Sequence, residues 1–110
     1  MITESDVEKA LMYIRTEAQN HAQAKANRIQ IDNFRKSKKG MLMGESPEST
    51  QAAKEAWAYA HPQYVELLDG LKVAIEVEEE ILWKMRAAQL TVEVYRTQQA
   101  NNRFIDKAHT

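Results

Sequence analysis

Helix-breaking residues are concentrated in one short stretch of this chain, and that placement limits the fold more than any other feature. The chain has three glycines and two prolines in 110 residues. Four of these five, Gly40, Gly44, Pro47 and Pro62, lie between residues 40 and 62. Glycine and proline are the residues that a helix interior tolerates least. The sequence therefore predicts two long helical segments separated by a short middle segment.

The rest of the chain is rich in Ala, Glu, Gln, Lys and Arg, which favour helix, and no window alternates apolar and polar residues as a strand would. We predict one all-α domain over residues 1–110. The helices are expected at about residues 5–40, 47–60 and 63–102. The first helix ends either at Gly40 or, after one further turn, at Gly44.

Local signals support these helix starts. Ser5 with Glu8 three residues later has the pattern of a capping box. Ser46 before Pro47 is typical of an N-cap followed by the first helical residue. The residue before a proline avoids the α region, so the short helix should end before Pro62, which opens the last helix.

Apolar residues at helical spacing predict which faces are buried. In the first helix the predicted stripe is Val7, Leu11, Ile14, Ala18, Ala22 and Ile29. In the last helix it is Leu67, Leu71, Ala74, Ile81, Met85, Ala88, Val92 and Tyr95. Gly70 lies inside this helix, where it predicts close packing or a bend. Helices of ~55–60 Å, at a rise of 1.5 Å per residue, are too long for a globule. We therefore expect an elongated antiparallel helical hairpin with the short helix at its closed end.

A second apolar face on the last helix predicts an assembly. One hairpin covers only one face of that helix, and large exposed apolar surfaces on soluble proteins usually mark interfaces. The predicted interface residues are Val77, Trp83, Leu90, Val94 and Tyr95. We expect a homo-oligomer, a dimer or a larger helical bundle, together with a phage or host protein partner.

An acidic run, Glu76 to Glu80, has two interpretations. Glu76 with Glu79 or Glu80 on adjacent turns resembles the Glu-x-x-Glu half of the all-helical nucleotide pyrophosphohydrolases, and paired carboxylates of this kind can bind a metal. The second acidic pair of that pattern is missing, because Glu93 stands alone. We favour a structural ion-pair network across the hairpin. Its predicted members are Lys25, Arg28 and Glu78.

Cations near the closed end give an alternative function. The candidate nucleic-acid contacts are Arg28, Phe34, Arg35, Lys36, Lys38 and Lys39. Cations bind phosphates and aromatic rings stack on unpaired bases, so this cluster is a candidate site for single-stranded nucleic acid. The whole chain carries a net charge of −1, whereas nucleic-acid binders usually have a basic excess. We rank this function second.

No pattern in the sequence predicts catalysis. The chain has no cysteine, no phosphate-binding glycine loop and no serine beside a histidine–carboxylate pattern. Glu17 and His21 share a helix face, but this single pair is too small a ligand set for a metal. We predict a protein that is not an enzyme and has neither a metal nor a cofactor.

Two segments resemble a known group of proteins. Residues 22–43, AQAKANRIQIDNFRKSKKGMLM, and residues 88–103, AQLTVEVYRTQQANNR, are similar to short helical proteins of tailed phages and prophages. Those uncharacterised proteins are often encoded near replication or recombination genes, and their last helix carries a Trp/Tyr-Arg motif that Tyr95-Arg96 matches here. The resemblance implies a phage accessory role in the cytoplasm of a bacterial host. With no apolar run of membrane length and no signal-like N-terminus, we expect no membrane association.

Overall fold

The protein is all-α, as predicted, and its two long helices pack against each other as a helical hairpin. The computed structural model describes residues 1–109, for which the backbone forms three helices and no strand. Helix α1 spans Glu4–Glu45, α2 spans Gln51–Ala60 and α3 spans Pro62–His109. Of the described residues, 1–21 and 80–109 form one compact unit, called unit 1 below, and residues 22–79 form unit 2.

The first helix begins and ends differently from the prediction. Thr3, not Ser5, caps it: the Thr3 backbone N–H donates to Asp6 Oδ2 at 2.9 Å, and the Asp6 N–H donates to Thr3 Oγ1 at 3.2 Å. This reciprocal pair is a capping box two residues earlier than expected. At the other end, α1 runs through both Gly40 and Gly44 and stops at Glu45. Neither glycine has a positive φ, so neither acts as a helix terminator.

The short helix starts later than predicted and ends where predicted. Its N-cap is Thr50, whose Oγ1 accepts a hydrogen bond from the Ala53 N–H at 3.2 Å. Ser46, the expected cap, instead accepts from the Glu48 N–H in the loop before it. His61 ends α2 in an extended conformation, and Pro62 opens α3.

The best-buried part of the molecule lies in unit 2, where α1, α2 and α3 meet. Leu42, Ala58 and Tyr64 form a cluster from which solvent is almost fully excluded, with Met43 and Trp57 packed against it. The rings of Tyr59 and Tyr64 meet edge to face, with centroids 5.3 Å apart. This cluster, called the junction core below, fixes the turn of the hairpin.

The long helices bury positions that alternate by three and four residues, the spacing of a coiled-coil seam. For α3 the predicted stripe is the one with reduced exposure. For α1 only Val7 and Ile14 of the predicted stripe are shielded. The rest of that prediction is wrong, because residues such as Leu11 and Ile29 are exposed. In unit 1 the α1 seam positions are Val7, Ala10, Ile14, Glu17 and His21. In unit 2 they are Ala24, Arg28, Ile31, Arg35, Lys38 and Leu42. Five of these eleven seam positions are polar, which is why apolar periodicity missed the seam.

Gly70 does not mark close packing. It lies inside helix α3, and a Cβ atom placed on it would meet no atom within 4 Å. The prediction of close packing at this glycine is wrong, because α3 has open space beside it.

Candidate functional site

The outward face of α3 in unit 1 carries an apolar stripe that the hairpin does not cover. Trp83, Leu90 and Val94 are 59%, 58% and 44% exposed, and Ala87 between them is also exposed. Steps of four, three and four residues place all four on one side of the helix. The seam positions Met85, Ala88 and Val92 occupy the other side. We call Trp83, Ala87, Leu90 and Val94 the outer stripe.

Charged side chains border the outer stripe. The Arg86 guanidinium carbon lies 4.7 Å from the centroid of the Trp83 ring, a cation–π contact at the edge of the stripe. On the same edge and two turns further along lies Glu93, which is exposed. Near the start of the stripe, Lys84 Nζ donates to Glu80 Oε1 at 2.8 Å. That ion pair lowers the pKa of Glu80 and raises the pKa of Lys84.

Two predicted interface residues lie away from the outer stripe. Val77 is exposed, but it belongs to unit 2. Tyr95 is a half-buried residue at a seam position and does not share the outward face of α3. Its burial, together with the nearby Glu4 carboxylate, raises the pKa of its hydroxyl. The step of three from Val92 turns its side chain toward α1, so Tyr95 does not belong to the outer stripe.

A groove in unit 1 runs beside the outer stripe, and no pattern in the sequence predicted it. It has a volume of about 540 Å³. Residues of both long helices line it, among them Tyr13 and Lys9 of α1 and Lys84, Ala87 and Thr91 of α3. The groove could have been predicted only from the α1 positions that face α3. Those positions place Tyr13 on the flank of α1 next to Lys84.

In unit 2 the ion pair predicted between Arg28 and Glu78 is present. The Arg28 guanidinium donates to both carboxylate oxygens of Glu78, with a distance of 3.3 Å from Nη2 to Oε1. The Glu78 side chain is only 12% exposed, and the hydrogen bonds raise the pKa of Arg28. Lys25, the third predicted member, has no ion pair within residues 1–109. The pair occupies seam positions of both helices, where it sets their register.

The other predicted nucleic-acid contacts lie near the junction core, and most of the cations have partners inside the molecule. Arg35 Nη2 lies 3.0 Å from Asp32 Oδ1, and Lys38 Nζ donates to Gln63 Oε1 at 2.6 Å. Phe34 and Lys36 are exposed. Of the predicted cluster, Arg35, Lys36 and Lys39 line one pocket, whereas Phe34 and Lys38 line another. Lys36 is the only one of the five predicted cations that lacks an ion pair or hydrogen bond within the described part of the chain.

Lys39 is held by two groups of α2. Its Nζ lies 4.8 Å from the centroid of the Tyr59 ring and 3.0 Å from Glu55 Oε1. Contact with Tyr59 and then with Glu55 raises the pKa of Lys39. A shallow pocket of about 280 Å³ opens here, lined by Arg35, Lys36, Lys39, Tyr59 and Tyr64.

The candidate metal ligands do not assemble into a ligand set. Glu17 and His21 both occupy seam positions of α1, and the buried Nε2 of His21 has no hydrogen-bond partner in residues 1–109. Over the same residues, no three His, Asp or Glu side chains are grouped closely enough to hold a metal ion. In the acidic run, Glu78 is taken by Arg28 and Glu80 by Lys84.

Comparison with known proteins adds no identity. Within the residues described, no helical stretch combines the length and apolar character that crossing a bilayer requires. No family model matches the chain, and no curated protein or solved structure matches it either.

Proposed function

We propose that this chain is a non-enzymatic interaction protein, which acts by self-association and by binding other proteins through the outer stripe of α3. The observation that carries this proposal is the exposure of Trp83, Leu90 and Val94 on one helix face. Tryptophan is among the residues most enriched at protein interfaces, and contiguous exposed apolar surface on a soluble chain usually marks a contact site.

The arrangement of unit 1 supports the proposal. Its seam side faces α1, so the outer stripe is left over after the hairpin has formed. Of the residues described in unit 1, only Ala10 is buried. A unit with so little interior gains free energy when a partner covers its outer face, since each Å² of apolar area removed from water contributes about 25 cal/mol.

The biological setting is proposed from the resemblance to phage proteins. We infer an accessory role in phage or prophage DNA replication or recombination, in the cytoplasm of a bacterial host. A phage or host protein is then the expected further partner. Recovery of such a partner from lysogenic cells by the wild-type chain, and its loss when the outer stripe is altered, would support this setting.

Sedimentation velocity over a range of concentrations tests the interaction. The wild-type chain should sediment as a dimer or larger species at high concentration. Leu90→Glu places a charge in the centre of the outer stripe and should shift the protein to monomer. Met12→Glu is the matched control, because Met12 is a 70% exposed residue on α1 and lies outside the stripe. If wild type and both variants sediment alike at every concentration, the proposal is wrong.

A second candidate function is binding of single-stranded nucleic acid at the pocket formed by Arg35, Lys36, Lys39, Tyr59 and Tyr64. The two tyrosines offer stacking surfaces and Lys36 offers an unpaired charge. Against it, Asp32 and Glu55 neutralise two of the three cations. Fluorescence anisotropy with a labelled oligonucleotide at two salt concentrations tests it. Lys36→Gln should weaken binding, and Lys72→Gln, an exposed lysine of α3, should not. Absence of binding at low salt rejects this function.

A further inference from the structure

We propose that the occupant of the outer stripe is the same stripe of a second copy of this chain, packed antiparallel about a two-fold axis that passes α3 between residues 88 and 89. This inference rests on the proposed function and specifies its partner. It follows from two independent properties of the stripe, its apolar spacing and the charges along its edge.

The apolar spacing is self-complementary about that point. Trp83 and Val94 are equally distant from it, and so are Ala87 and Leu90. In an antiparallel pair with this axis, Trp83 packs on the partner's Val94 and Leu90 packs on the partner's Ala87. Each contact occurs twice, as a two-fold interface requires. Large residues then face smaller ones, which lets the two helices interdigitate.

Neighbouring registers are poorer. Moving one helix by a heptad in one direction places Leu90 opposite the partner's Glu80. Moving it in the other direction places Trp83 opposite the partner's Asn101. Both alternatives put a polar side chain on an apolar one, so only the register centred between residues 88 and 89 pairs all four stripe residues with apolar partners.

The charges along the edge select the same register. With this axis, Arg86 of each copy lies beside the partner's Glu93, which gives two equivalent ion pairs. The heptad shifts instead bring Arg86 beside the partner's Arg86, or Glu93 beside the partner's Glu93, and like charges at an interface oppose association. Arg86 is already positioned, since its guanidinium lies over Trp83, the residue that packs next to the partner's Glu93 in this arrangement.

Exchange of the two charges tests the register. Arg86→Glu alone and Glu93→Arg alone each place like charges opposite one another twice, and each should weaken the dimer on the order of ten-fold or more in Kd, measured by sedimentation equilibrium. An equimolar mixture of the two variants should recover the wild-type Kd, because both edge pairs are again attractive in the mixed dimer. Both residues are exposed, so neither change reaches the seam between α1 and α3; within the monomer Arg86→Glu removes the cation–π contact with Trp83.

Cross-linking tests the orientation independently. The chain has no cysteine, so an introduced thiol is the only one. Ala87→Cys mixed with Leu90→Cys should form a disulfide-linked dimer on oxidation. Val94→Cys alone should not, because the axis places the two copies of residue 94 more than ~15 Å apart, at 1.5 Å per residue. A parallel pair would cross-link Val94→Cys and would overturn the proposal.

The outcomes separate this inference from the proposed function. Dimerisation of the wild-type chain and its disruption by Leu90→Glu would support the interaction surface. If the mixture of Arg86→Glu and Glu93→Arg then fails to re-form the dimer, the register is wrong. If the wild-type chain is monomeric at all concentrations, self-association and this register both fail, and the occupant of the stripe is not a second copy.

Discussion

Units 1 and 2 are built from the same two helices, yet they bury their apolar residues in different ways. Unit 2 has three helical segments and a closed junction core, with Leu42 at 1% exposure and Ala58 at 0%. Three of its cations, Arg28, Arg35 and Lys39, are paired with Glu78, Asp32 and Glu55. Unit 1 has only two helical segments, and its largest apolar side chains lie outside the seam.

The difference shows what a third helix contributes. The ten residues of α2 cover the end of the hairpin and turn a two-helix contact into a core. Where α2 is absent, α1 and α3 cover only one face of each other. We therefore expect the free energy of unfolding of unit 2 to be independent of protein concentration, and that of unit 1 to depend on it.

The sharpest test of this comparison replaces one leucine in each unit. Leu42→Ala leaves a cavity in the junction core and should lower the free energy of unfolding by about 2–5 kcal/mol at any protein concentration. Leu90→Ala removes an exposed side chain, and should change the unfolding of the dilute monomer little while weakening association. Urea denaturation of both variants at two protein concentrations measures this. Equal losses in dilute solution would show that the two units do not differ.

The N-cap of α2 gives a smaller effect in the same unit. Thr50→Ala removes the acceptor of the Ala53 N–H and should cost about 1 kcal/mol of unfolding free energy. Ser46→Ala is the matched control, because Ser46 only accepts a hydrogen bond within the preceding loop. Thermal unfolding followed by circular dichroism compares the two. A larger loss for Ser46→Ala would mean that the loop, not the cap, holds α2 in place.

Gly70 allows a stabilising change in unit 2. Its Cβ position is open, so Gly70→Ala should gain the helix propensity of alanine and raise the free energy of unfolding by about 0.5–1 kcal/mol. Gly40→Ala in α1 should act similarly, since that Cβ position is open too. A loss of stability in either variant would show that the helix needs the freedom of glycine there. Urea denaturation is again the measurement.

The all-α class, the hairpin and the buried face of α3 could be predicted from the sequence. For α3, Leu71, Ile81 and Met85 are apolar residues on the seam, so hydrophobic spacing and burial agree. For α1 they diverge, because Arg28 and His21 occupy seam positions while Leu11 and Ile29 face outward. Polar seam positions that are balanced by a partner such as Glu78 have no hydrophobic signature.

The apolar residues of the candidate site could be predicted from the sequence, but the charged contacts along its edge could not. Trp83, Leu90 and Val94 follow from helical spacing alone. The cation–π contact of Arg86 does not, since a residue three positions from a tryptophan has several rotamers that avoid the ring. The paired state of the cations near the junction core also depends on where α2 lies, and that position is set by tertiary packing on Leu42.

The smallest expected effect is a pH dependence in unit 1. Burial raises the pKa of Tyr95 above its ordinary value of 10.0, so the folded state favours the neutral phenol. The corresponding stability is present below pH 10.0 and is lost as the pH rises through the raised value.

Tyr95→Phe has no proton to lose, so its unfolding free energy should fall less than that of the wild type over this range. Lys39 and Lys84 also lose protons at high pH, but they are present in both proteins and their contributions cancel in the difference. Urea denaturation below and above pH 10.0 gives this difference. Parallel pH profiles for the two proteins would mean that the Tyr95 hydroxyl is solvated, and that the two helices of unit 1 are held together less closely than the seam implies.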